Sequence, residues 1–157
     1  MGSYRKEIRR IMHALSVMDN AYCRWAKIQG IKDNTLNVIY ALNDGDYHSQ
    51  KQLCSETMLP KTTINTIIKE CEADGYVVLQ LPDGHGREKQ ICLTEKGRQF
   101  ADRVLKSVYE MEDKAMESTL AKYSDEFIEV LEYFCDSFSG AFDENGKRAG
   151  KKAGGEK

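Results

Sequence analysis

The tightest constraint on this chain is an order of signals between Ser49 and Gly97. A short capped helix is followed by an amphipathic helix opened by proline and closed by glycine, and then by two β-prone runs around a glycine-rich loop. Ser49-Gln50-Lys51-Gln52 has the spacing of a capping box, in which the serine hydroxyl and the glutamine amide satisfy backbone donors at each other's position. That helix ends near Thr57. After Met58-Leu59-Pro60 the pattern predicts a second helix from about Lys61 to Asp74. Gly75 ends it, because only glycine enters the left-handed conformation of a helix stop without strain. Ile64, Ile67, Ile68 and Cys71 fall on one face of it, and Thr62, Asn65, Thr66 and Lys69 on the other. Tyr76 to Leu81 and Lys89 to Thr94 then read as two strands, with Pro82-Asp83-Gly84-His85-Gly86-Arg87 as the loop between them.

The flanking segments are helical by period. Ile8, Ile11, Leu15, Met18, Tyr22 and Trp25 form a stripe of heptad type ending at Gly30, and such a stripe needs a partner. A helix over about 33–42 carries Leu36, Ile39, Tyr40 and Leu42, with Asp33 as its N-cap. Thr94-Glu95-Lys96 caps a long helix to about Leu120 with Phe100, Val104, Val108 and Met111 on one stripe. A last helix, Ser124 to Ser137, sets Phe127, Val130, Leu131, Phe134 and Phe138 against Asp125, Glu126, Glu129, Glu132 and Asp136. The expected class is therefore mainly α (α+β): a winged helix-turn-helix with a two-stranded β wing and a helical dimerisation lobe. One domain over 1–142 is expected, with dimerisation helices at about 4–29 and 107–138, the winged helix at about 33–100, and a disordered basic tail at 143–157.

A net charge of −2 conceals segregation. The charge is +5 over residues 1–32, −3 over 33–46, +1 over 47–106, −9 over 107–145 and +4 over 146–157. A near-neutral total thus does not exclude a nucleic-acid partner. No run approaches the roughly 18 apolar residues that span a bilayer, and Met1 to Arg10 is polar, so a cytoplasmic protein without membrane contact is expected. Five scattered cysteines without a Cys-x-x-Cys pair, and three histidines far apart (His13, His48, His85), argue for no disulfide framework, no metal and no cofactor. No nucleophile elbow, metalloprotease helix or phosphate-cradling loop is present, so no enzyme is expected.

A winged helix-turn-helix inserts its second helix into the DNA major groove, where lysine, threonine and asparagine meet phosphates and base edges. The expected DNA-contacting residues are Lys61, Thr62, Thr63, Asn65, Thr66 and Lys69 on that helix, and His85, Arg87 and Lys89 on the wing. Arg87 would seek the narrow minor groove of A·T-rich DNA.

These segments resemble the MarR-type transcriptional regulators over roughly residues 8–138. The resemblance rests on Gln50-Lys51-Gln52-Leu53-Cys54, Leu59-Pro60-Lys61-Thr62-Thr63-Ile64-Asn65, Glu72-Ala73-Asp74-Gly75-Tyr76-Val77 and Leu93-Thr94-Glu95-Lys96-Gly97. Two positions depart from that family: His85-Gly86-Arg87 stands where its wing carries Asp-x-Arg, and Thr66 where an arginine is frequent. The resemblance implies a cytoplasmic homodimer that binds double-stranded DNA at a pseudo-palindromic operator, as a repressor responsive to a small aromatic or amphipathic effector. It also implies that the first and last two helices interlock between subunits; Ile8, Ile11, Leu15, Phe127, Leu131 and Phe134 are the expected interface residues. Tyr22, Trp25, Tyr40 and Phe100 are the expected walls of the effector pocket. Peroxide-sensing branches of the family use a first-helix cysteine; Cys23 lies late in the helix and off its stripe, which favours an ordinary packing residue. The other reading of the net acidity is a winged-helix module that docks protein rather than DNA.

Overall fold

The computed structural model describes residues 4–81 and 89–153, with side chains to residue 143. The elements run α1 (Arg5–Ile28), α2 (Asp33–Leu42), β1 (His48–Ser49), α3 (Gln50–Thr57), α4 (Lys61–Ala73), β2 (Val77–Gln80), β3 (Gln90–Leu93), α5 (Glu95–Leu120) and α6 (Glu126–Ala153). The chain divides into two compact units, Met1–Met111 and Glu112–Lys157. The division falls inside α5. No helix among the described residues is long and apolar enough to cross a membrane.

The first unit is a winged helix-turn-helix built as the period predicts. Ile64, Ile67, Ile68 and Cys71 of α4 are buried with Leu36, Val38, Ile39 and Leu42 of α2 and Leu53 of α3, while Val77, Ile91 and Leu93 bring the sheet into the same core. From α5 come Phe100, Ala101, Val104, Leu105 and Val108. Trp25 of α1 packs against this core, and its indole Nε1 donates to the carbonyl of Val104 at 3.0 Å.

The structure departs from the sequence reading at four places. The wing strands belong to a three-stranded antiparallel sheet of order β1-β3-β2, because His48 and Ser49 pair with Ile91 and Gln90. Two residues are too short a run to carry an alternation. Tyr40 faces outward and Val38 takes its place in the core, since α2 is covered on more than one side and a single stripe does not describe it. Asp33 is the first residue of α2, and Lys32 holds the N-cap position. Finally, α6 runs from Glu126 to Ala153, beyond Ser137 where the last helix was expected to end; elongating an existing helix costs far less than starting one.

Two glycines set the geometry around the wing. Gly75, at φ +74°, closes α4 in a Schellman motif: Tyr76 N donates to Cys71 O at 2.8 Å and Gly75 N to Glu72 O at 3.0 Å. Gly97, in the first turn of α5, lies against the backbone of Tyr76, and a Cβ there would fall on the Tyr76 carbonyl. Thr94 stands between them. Its Oγ1 donates to Gly75 O at 2.7 Å and accepts from Gly97 N at 3.0 Å, so one hydroxyl joins the exit of α4 to the start of α5.

In the second unit α6 carries an apolar ladder, with the rings of Phe134 and Phe138 at 5.8 Å and those of Phe138 and Phe142 at 4.9 Å. None of its described residues is fully buried.

Gly97→Ala is expected to destabilise the protein by about 2–4 kcal/mol, since backbone and not a flexible side chain meets the new methyl. A thermal melt reads this as a midpoint lowered by roughly 5–15 °C; an unchanged midpoint would mean that the junction yields freely.

Candidate nucleic-acid interface

Pro60, at φ −60° and ψ 146°, delivers the chain into α4. It leaves Lys61 at the first helical position and no side chain bonded to the helix's free N–H groups. Lys61, Thr62, Thr66 and Lys69 are exposed and Thr63 and Asn65 half-buried; the helical period sets Thr62, Asn65, Thr66 and Lys69 opposite the buried isoleucines and Lys61 and Thr63 at the edges of that stripe. The first acidic residue of α4 is Glu70, so its N-terminal two turns present only cationic and neutral polar groups. Thr66 Oγ1 donates to Thr62 O at 3.1 Å, which ties its hydroxyl to the backbone. Within the described residues Lys61 and Lys69 form no salt bridge, whereas Lys32 at the entry to α2 bonds both oxygens of Glu70 at 2.9 and 3.0 Å. The six α4 residues expected from sequence are thus brought onto one side of a single helix. Lys89 is exposed at the edge of β3, and His85 and Arg87 lie outside the described residues.

Beneath this helix, α3 is held by the predicted capping box. Ser49 N donates to Gln52 Oε1 at 2.7 Å and Gln52 N to Ser49 Oγ at 3.2 Å. At its end Thr57 Oγ1 donates to Leu53 O at 2.6 Å and accepts from Leu59 N at 3.3 Å. Met58 takes the left-handed conformation at φ 54°, a position at which most side chains are strained, and so makes the turn without a glycine.

Sequence reasoning missed His48. Its side chain is buried on β1, with Nε2 at 2.9 Å from Asp44 Oδ1 and Nδ1 at 3.3 Å from Glu56 Oε2, the second approach lacking hydrogen-bond alignment. The hydrogen bond from His48 holds the Asp44 carboxyl below its usual value of 3.8. A local signal existed in Asp44 and His48 at a four-residue spacing, but not in Glu56, which only the fold brings near.

The four residues expected around an effector separate into two pairs. Tyr22 and Tyr40 line a cleft of about 300 Å³ between α1 and α2, together with Asp19, Cys23, Asp33 and Asn37. Trp25 and Phe100 are not among its lining residues: Trp25 anchors α1 to α5, and Phe100 stacks on Tyr76 with centroids 4.4 Å apart. Phe100 belongs to the core and Trp25 packs half-buried against it, as aromatics at helical spacing often do. Cys23 Sγ is 3.7 Å from Asp33 Oδ2, and desolvation first, then the charges of Asp19 and Asp33, raise its pKa. The thiolate that redox sensing needs is disfavoured there. Burial likewise pushes Cys71 up to about 11. Of the expected dimer residues, Ile8, Ile11, Leu15, Phe127 and Phe134 are half-buried and Leu131 is exposed.

Comparison with known proteins agrees with this architecture. Residues 29–88 match the family model described as MarR family. No curated protein sequence matches the chain. Among solved structures, the chain is similar to NMB1585, a MarR family regulator from Neisseria meningitidis, at 23% identity and a TM-score of 0.74, covering 92% of this chain and 99% of that one. It is similar to the MarR family transcriptional regulator SPO1453 from Silicibacter pomeroyi at 19% identity and a TM-score of 0.66, over 82% of this chain and 92% of that one. A third is BpsR of Bordetella bronchiseptica, whose DNA binding is regulated by 6-hydroxynicotinic acid. It is 14% identical with a TM-score of 0.61, covering 88% of this chain and 96% of that one. The fold is that of the MarR-type regulators.

His48→Phe removes the donor that lowers Asp44, so the Asp44 pKa is expected to rise toward 3.8 in an NMR titration. A depressed folded value contributes stability above the unfolded pKa and loses it as pH falls through the folded one. The wild type should therefore lose more stability than the variant on acidification below about pH 4; parallel losses would detach His48 from Asp44.

Proposed function

We propose that this chain, a winged helix-turn-helix of the MarR type, binds double-stranded DNA as a cytoplasmic homodimer on a pseudo-palindromic operator and represses transcription until a small effector releases it. The observation that carries the reading is the face of α4: four exposed polar or cationic residues, Lys61, Thr62, Thr66 and Lys69, with no acid before Glu70. An α-helix fits the major groove, and cationic side chains on such a face reach phosphates while amide and hydroxyl groups meet base edges. Arg87 at the wing is assigned to the adjacent minor groove and His85 and Lys89 to its flanks, with Asp83 or Glu88 orienting Arg87 in place of the family's wing aspartate.

The homodimer reading is supported by apolar surface that one chain leaves uncovered. Val130 is 67% and Phe142 66% exposed on α6, and Met12, Val17 and Met18 are exposed on α1. Apolar area of this kind is worth roughly 25 cal/mol per Å² when a second surface covers it. The +5 of residues 1–32 and the −9 of residues 107–145 favour pairing unlike segments and disfavour acidic helix against acidic helix. A dimer engages an operator only when its two recognition helices match successive major grooves, about 34 Å apart. An effector that changes their separation therefore changes affinity. The cleft at Tyr22 and Tyr40 is the candidate effector site, and BpsR supplies a structural relative in which a small molecule regulates DNA binding.

Lys61→Ala and Lys69→Ala should each weaken binding to every duplex and flatten the slope of log K against log salt by about 1, one phosphate contact apiece. Thr63→Ala and Asn65→Ala should instead alter which sequence is selected from a random duplex pool. Slopes unchanged in both lysine variants would refute the groove assignment, and binding indifferent to salt would mark the unit as a protein-docking module. Separately, Leu15→Asp and Leu131→Asp are expected to yield monomers in sedimentation; a folded, fully dimeric Leu15→Asp protein would remove α1 from the interface.

A further inference from the structure

The cleft between α1 and α2 has a chemistry of its own. Asp19 and Asp33 stand in its wall with the rings of Tyr22 and Tyr40, and no lysine or arginine is among its lining residues. Its volume, about 300 Å³, is at the small end for ligand pockets and suits a molecule with a single ring. Aromatic faces beside carboxylates recognise cations: the ring quadrupole and the formal charge attract the same partner, and both repel an anion.

We propose that this cleft binds a small organic cation, a protonated amine or quaternary ammonium bearing one ring, with its charge held by Asp19 and Asp33 and its ring against Tyr22 and Tyr40. The inference rests on the reading of this cleft as the effector site and gives that effector its chemical class. Cys23 Sγ lies 3.7 Å from Asp33 Oδ2, so that carboxylate stands at the α1 side of the cleft. The nearest ammonium in sequence, that of Lys32, is engaged by both oxygens of Glu70 and so does not neutralise the cleft. A carboxylate such as the 6-hydroxynicotinic acid that regulates BpsR would meet no counter-charge in this wall. The position also offers a route outward, because Asp33 is the neighbour of Lys32, and Lys32 is bonded to the recognition helix through Glu70. A cation drawn onto Asp33 acts one residue away from that ion pair.

The test is calorimetric titration of the full-length protein, free of DNA, with benzyltrimethylammonium and with its anionic counterpart 3-phenylpropionate. Saturable heat is expected from the cation alone. Asp33→Asn and Asp19→Asn should each weaken the cation about fivefold, and Tyr40→Leu should weaken it by a similar factor. Circular dichroism verifies that each variant is folded, and the Asp19 variant lies inside α1, away from any helix end. The proposal is overturned if the anion binds as tightly as the cation, if both aspartate variants bind the cation like the wild type, or if no saturable heat develops up to about 10 mM. The effector reading is judged apart, by adding the cation to a preformed complex with duplex: an unreleased duplex would reject regulation through the cleft while the heats still decide the ligand class.

Discussion

The hydroxyl of Thr94 and the absence of a side chain at Gly97 hold the winged helix-turn-helix in one shape. Thr94 Oγ1 joins the carbonyl of Gly75 to the amide of Gly97, and Thr94 N donates to Tyr76 O at 2.9 Å, so Gly75 and Tyr76 at the exit of α4 and the first turn of α5 share one set of bonds. Backbone groups closed off by such contact must find partners or cost about 1–3 kcal/mol each. Here the helix stop of α4 supplies acceptors and the N-terminus of α5 a donor. Lys96 adds a bond to Asp74 O at 2.6 Å and sits over the Tyr76 ring. The orientation of α4 against the sheet and the first turn of α5 thus depends on one threonine, two glycines and a tyrosine.

That rigidity divides the surface into parts with different work to do. The outward face of α4 is polar because its inward face is saturated by Ile64, Ile67, Ile68 and Cys71, which leaves no apolar residue to bury on the other side. The described apolar residues of α6 have no such burial within the single chain, so the polar outward face of α4 and the apolar residues of α6 differ in kind. The first unit also holds the α1–α2 cleft, where tyrosines and carboxylates are held on helices anchored by Trp25 and Leu36.

Periodicity made the helices legible wherever one face meets one core. The spacing of Ile64, Ile67, Ile68 and Cys71 foretold both the buried side of α4 and its outward residues, and Gly75 and the Ser49 capping box marked helix ends through bonds that span only a few residues. It misplaced Tyr40 against Val38, because α2 is enclosed from several directions and its burial does not follow one stripe. It also grouped Trp25 and Phe100 with the cleft, since an aromatic at helical spacing carries no mark of whether it faces a cavity or a neighbour.

Local chemistry in the sequence thus determined the order of elements, their caps, the polar face of α4 and the segregation of charge, because hydrogen bonds at short spacing and the 3.6-residue period are written in adjacent residues. Only the tertiary structure decided that His48 lies between Asp44 and Glu56, that β1 completes the sheet against β3, and that Asp19 and Asp33 share a cleft with Tyr22 and Tyr40. Each of these joins groups from different elements. Their proximity is set by how α1, α2, α3 and the sheet pack on a common core, and no pattern along the chain encodes that distance.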